Sequence, residues 1–201
     1  PGQVAPEWRF VWLALDVMRR SLALLVVPTG QTAFHAVAAP ASVVSPAVIA
    51  ALAALGAIGV LAWRVRHAAW AATAGLAWCV LALAPAAALV ILGRGEPMTE
   101  HRLYFASCGW FVAVGAGAGA VWQRVRNRGA VATAATAALC VVLAALAVDT
   151  MARNAVWSDP VALWEESVTL APSHYRPRLL LGEALQDAGR REDALAQFSE
   201  A

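Results

Sequence analysis

The sequence predicts an all-α protein. Residues 1–149 read as a polytopic helical membrane bundle, and residues 150–201 as a helical hairpin that starts an α-solenoid. Three observations carry that prediction. The chain is 61% hydrophobic and 14% charged, whereas soluble domains have about 45–50% apolar and about 25% charged residues. Four apolar stretches approach the length needed to cross about 30 Å of hydrocarbon. Past Asp149 the sequence turns polar and charged, with apolar residues at helical spacing.

The 201 residues start at Pro1 and stop inside a helical pattern, so the chain reads as a fragment of a longer protein. Residues 1–27 lack the basic head and small-residue cleavage site of a signal peptide. The first element, about 8–27, is an amphipathic helix. Arg9, Asp16 and Arg20 share one face, with Asp16 and Arg20 spaced to pair. Phe10, Val11, Leu13, Leu15, Val17, Leu22 and Leu25 occupy the others. Such a helix lies in the membrane interface, or it spans the membrane with its polar stripe on a cavity. Pro28 and Gly30 stop it, and a loop runs to residue 44. Within that loop, a histidine such as His35 is more often plain than catalytic.

Ser45 and Pro46 mark the next helix start. The span covers about 46–63, with Trp63 at its interfacial end. A second span covers about 68–85, with an apolar extension to 93 that is re-entrant or packed on protein. The third covers 103–121 and contains Gly115, Gly117 and Gly119. Gly115 and Gly119 form a small-xxx-small pair, which serves either a dimer face or close packing inside the bundle. The fourth covers 130–148. Cys79, Cys108 and Cys140 each sit in an apolar run without ligand spacing, so neither a metal site nor a disulfide is expected.

The loops after the first and third spans carry Arg64, Arg66, Arg124, Arg126 and Arg128 and no acid. The loop between the second and third balances Arg94 and Arg102 against Glu96 and Glu100. An excess of arginine marks cytoplasmic loops. Alternation then puts the 28–44 loop, the Glu100–Tyr104 cluster and the tail on the extracytoplasmic side. A net charge of +2 gives no argument for nucleic acid.

The polar cluster Glu100, His101, Arg102 and Tyr104 sits where the third span meets water. Two readings stand. Arg102 and Glu100 anchor the helix end by snorkelling, or the cluster faces a cavity or ligand, as ionisable groups at this depth often do.

In the tail, Leu181, Gly182, Leu185, Ala194, Phe198 and Ala201 fall at tetratricopeptide-repeat spacing. Small Gly182 and Ala194 let the two helices of a repeat touch. Trp164, Ser167 and Pro172 fit the end of a preceding half-repeat. Repeat arrays need about three units for stability, so more are expected in the full protein. Their concave face would take a protein or peptide. The plainer reading is a short hairpin packed on the membrane part.

The order of features resembles the transmembrane and tetratricopeptide-repeat-containing (TMTC-type) protein O-mannosyltransferases and their bacterial relatives. The resemblance rests on Pro28-Thr-Gly-Gln-Thr-Ala-Phe-His35, on Glu100-His-Arg-Leu-Tyr-Phe-Ala-Ser107, and on Arg153-Asn154, Trp157 and Leu163-Trp164. Two positions depart from it. Phe34 stands where an acid is frequent, and Phe105-Ala106 where Leu-Pro is usual. The resemblance implies a GT-C-like glycosyltransferase in a bacterial inner membrane. It would take a polyprenyl-phosphate sugar as donor and a protein or glycan as acceptor, on the extracytoplasmic face. The acidic base would lie upstream of Pro1. Arg102 would meet the lipid phosphate, since a guanidinium offers paired charge-assisted hydrogen bonds. Glu100 would orient it, and His101, Tyr104, His35 and Gln31 would contact phosphate or sugar. No cofactor is implied with certainty, and a divalent metal is left open. Two other classes remain: a non-catalytic membrane scaffold whose repeats recruit envelope proteins, and an O-antigen-ligase-like transferase.

Overall fold

The computed structural model describes residues 8–92, 96 and 98–201. All regular structure among them is helical. The helices are α1 (Trp8–Val26), α2 (Pro46–Val65), α3 (Trp70–Ile91), α4 (Leu103–Val125), α5 (Gly129–Trp157), α6 (Pro160–Leu170), α7 (Tyr175–Asp187) and α8 (Arg191–Glu200). A 3-10 turn, Glu100–Arg102, leads into α4. Among the described residues, four helices are long and apolar enough to cross a membrane: α2, α3, α4 with its 3-10 lead, and α5. Arg94 and Gly93, which entered the reading of the loop and the apolar extension, lie outside the described residues.

The chain forms two compact units. The first holds the described residues up to Gln31 and Val37–Val121; the second holds Thr32–Ala36 and Trp122–Ala201. In the first, α1 presents its apolar face to α3. Leu13, Ala14 and Val17 bury themselves with Val90 and Met98. One to two turns on, Leu22 joins Cys79, Leu83 and Ala106. These residues recur at three- and four-residue steps, which gives a helix one apolar stripe. α2 starts at Pro46 as expected, but Ser45 makes no side-chain cap bond. At its other end the Arg66 guanidinium stacks 3.7 Å from the Trp63 ring centroid and donates to the Trp63 carbonyl at 2.6 Å.

Two expectations change here. The span placed at about 68–85 and its apolar extension form one helix, α3, which runs through Pro85 to Ile91. A proline costs a helix one N–H and crowds the preceding turn, yet membrane helices tolerate it where neighbours compensate. The second concerns the glycines. Gly115, Gly117 and Gly119 have open space where a Cβ would project, so they pack no helix within the unit. The close approach is made by Gly75 of α3 and Gly109 of α4. A Cβ on either would lie 2.5 Å from the other's carbonyl oxygen. Lipid gives helices little hydrophobic reason to associate, so such backbone proximity is a main source of attraction.

In the second unit α5 runs on through Asp149 to Trp157. No Gly or Pro interrupts it after Gly129 until Pro160, so the polarity change at 149 does not break the helix. The stop comes at Ser158–Asp159–Pro160. There Asp159 caps α6 by accepting from the Val161 N–H at 3.0 Å, with Pro160 in the first turn. α7 ends in a Schellman turn. The Arg190 N–H reaches the Leu185 carbonyl at 2.8 Å and the Gly189 N–H reaches that of Gln186 at 3.0 Å. Gly189 takes the left-handed φ of 79° that this turn needs.

Candidate functional site

The touching point of α3 and α4 fixes what lies next to it. One turn beyond Gly75, the Trp78 indole N–H donates to the Phe105 carbonyl at 2.8 Å. From there the helices frame an apolar groove of about 470 Å³, lined by Trp78, Leu81, Ala82, Pro85, Ala86, Leu89, Phe105 and Arg102. Trp78 to Leu89 covers about 16 Å of helix at the usual rise. Pro85 has no N–H to offer the Leu81 carbonyl, which lacks its usual helical donor along this wall. Among the described residues, Arg102 is the one charged residue in the lining. It is half-buried, and its Nη1 donates to the Glu96 carbonyl at 3.3 Å.

The other cluster residues are placed differently. Glu100 and His101 form the 3-10 turn with Arg102 but do not line the groove. Tyr104 is 74% exposed; its carbonyl accepts from Ser107 Oγ and Cys108 Sγ. Gln31 lies half-buried in the first unit. His35 belongs to the second, in the segment Thr32–Ala36, so the proposed ligand set is not gathered in one unit.

That segment packs on α6 and α7. Thr32 and Ser167 are both buried, with hydroxyls 3.3 Å apart. Ser167 donates to the Leu163 carbonyl at 2.9 Å. Having one hydrogen, it then accepts from Thr32, which in turn takes the Phe34 N–H at 3.4 Å. Phe34 sets its ring 5.4 Å from that of His174. Nearby on α5, Arg153 Nη1 holds both carboxylate oxygens of Glu166, at 2.7 and 3.0 Å.

In the tail, Leu181, Leu185 and Ala194 form a buried cluster with Val161, Trp164, Val168 and Phe198 around it. Gly182 lies against Phe198: a Cβ there would sit 2.3 Å from the ring. Ala201 is exposed. Arg178 ties α7 to α8 through Gln197 and Glu200.

On α1, Asp16 is 2% exposed. Arg19 donates to its Oδ1 through Nε at 2.9 Å and Nη2 at 2.6 Å, and Arg20 Nε donates to Oδ2 at 2.8 Å. The expected Asp16–Arg20 pair is present, and Arg19 joins it from a three-residue step. Among the described residues no group of three or more His, Cys, Asp or Glu could hold a metal ion.

The groove itself was not read from the sequence. One signal was available. Trp78 sits well inside a span, whereas membrane tryptophans favour the interface, so its indole N–H needs a protein acceptor.

Comparison with known proteins gives one relative to report. The protein O-mannosyl-transferase Tmtc1 of Drosophila melanogaster is 32% identical over 133 residues, which is 64% of this chain and 15% of that protein. The chain therefore resembles a TMTC-like membrane protein while spanning about 15% of its relative's length. No family profile matches the chain, and no solved structure does.

Proposed function

We propose that this chain is part of an integral membrane glycosyltransferase. It moves a sugar from a polyprenyl-phosphate donor to a protein or glycan acceptor on the extracytoplasmic face. The observation that carries the reading is the Arg102 guanidinium in the wall of an apolar groove. A prenyl phosphate has the matching form, an apolar chain ending in an oxyanion. The similarity to a named O-mannosyl-transferase supports the same class. Arg102 holds the phosphate through its planar fork, and Trp78, Leu81, Leu89 and Phe105 shield the first part of the chain. These residues bind and orient the donor. The α7–α8 hairpin is the start of a tetratricopeptide array that binds acceptor or partner proteins. Its support is the small-residue contact of Gly182 with Phe198 and the buried Ala194.

The test is sugar transfer by the full-length protein, with membrane abundance measured alongside. Arg102→Gln removes the charge and is expected to lose about 2–5 kcal/mol of donor stabilisation. Arg102→Lys keeps the charge without the fork and falls between. An anchoring arginine predicts a fully active Lys variant, since lysine snorkels as well. Transfer by the Gln variant at the wild-type rate contradicts the assignment.

A further inference from the structure

Asp16 is held more heavily than its own neutralisation requires. One carboxylate carries one charge, yet it receives two guanidiniums. Each has five N–H donors, and between them only three bonds go to Asp16. No other hydrogen bond or ion pair joins Arg19 or Arg20 to a described residue. Their side chains are 30% and 43% exposed, so the remaining donors are reachable. The trio keeps a net charge of +1 in a unit that also carries three apolar spans.

Stability does not account for this arrangement. A buried carboxylate with paired arginines is often no more stabilising than a well-packed apolar group. Ionisable residues kept among membrane helices are functional-site candidates by default. The buried Asp16 also limits the motion of both guanidiniums. Two forks set one residue apart on a helix, with donors to spare, suit a tetrahedral oxyanion.

We infer that Arg19 and Arg20, held by Asp16, form a second anion site that binds a phosphate ester, separate from Arg102. The ester belongs either to an anionic lipid headgroup or to a soluble phosphate.

The experiment uses the full-length protein in nanodiscs, with two probes. One is phosphatidylglycerol retained against phosphatidylcholine, counted by native mass spectrometry. The other is inorganic phosphate, titrated in phosphatidylcholine discs. Arg20→Gln leaves Asp16 on both bonds from Arg19 and removes the excess charge. Arg19→Gln leaves Asp16 on Arg20, and is a second route if the first variant folds poorly. Loss of one charge-assisted contact should weaken binding about tenfold, with Arg20→Lys in between, and the same loss should appear when Arg20→Gln is made in an Arg102→Gln background. A loss confined to phosphatidylglycerol assigns the headgroup, and a loss for inorganic phosphate assigns a soluble ester. If neither probe separates wild type from Arg20→Gln and Arg19→Gln, the arginines only neutralise Asp16 and the inference is overturned.

Discussion

A methyl group on Gly75 would meet the Gly109 carbonyl oxygen at 2.5 Å and the Ala113 nitrogen at 2.8 Å. Both are backbone atoms and cannot swing aside, so the helices would have to part. Gly75→Val is expected to cost about 1–3 kcal/mol, read as a lower melting temperature in detergent. It should also weaken sugar transfer, because Trp78 and Phe105 lose the spacing that frames the groove. Gly119→Val has open space and should leave both readouts near wild type. Equal effects at the two glycines would contradict the packing. The sequence drew the eye to Gly115 and Gly119 because their spacing is a pattern within one helix. A close contact needs one small residue on each of two helices in register, and that register is a tertiary property. Likewise, nothing local announces the Thr32–Ser167 bond across 135 positions. The Asp16–Arg20 pair was legible because a four-residue step on a helix fixes neighbours.

Among the elements, the apolar runs were readable as helices, while their ends depended on breakers. Pro85 marked the edge of the second span and its apolar extension, and α3 passes through it to Ile91, since in a membrane the helix has no better way to satisfy its backbone. Asp149 reads as an end, yet polarity alone does not break a helix, and α5 stops only where Ser158–Asp159–Pro160 supplies a turn and a cap. The hairpin is the element that the sequence described in most detail, because its helices meet through residues whose size is visible. Ala194 is 2% exposed, so Ala194→Trp should overpack the α7–α8 contact by about 1–3 kcal/mol. Limited proteolysis should then cut the tail faster while the membrane-embedded part stays protected. An unchanged digestion pattern would argue that α8 does not dock on α7 in this way.

For the whole molecule, five arginines in two loops predict which side of the membrane each loop meets. Cys108 and Cys140 are exposed and Cys79 is buried, so labelling needs a background in which all three are replaced by alanine. There, Gly129→Cys should be shielded from an impermeant thiol reagent in intact cells, and Ser173→Cys should react; the reverse pattern would reverse the orientation. The central claim is that Arg102 and the groove beside it hold a prenyl phosphate. Its most direct measurement is photo-crosslinking of the full-length protein with a polyprenyl phosphate bearing a diazirine near the phosphate. The account predicts labelled peptides from Trp78–Leu89 and around Phe105, with the label lost on Arg102→Gln. Labelling that falls outside these helices, or that is as strong in Arg102→Gln as in wild type, would contradict it.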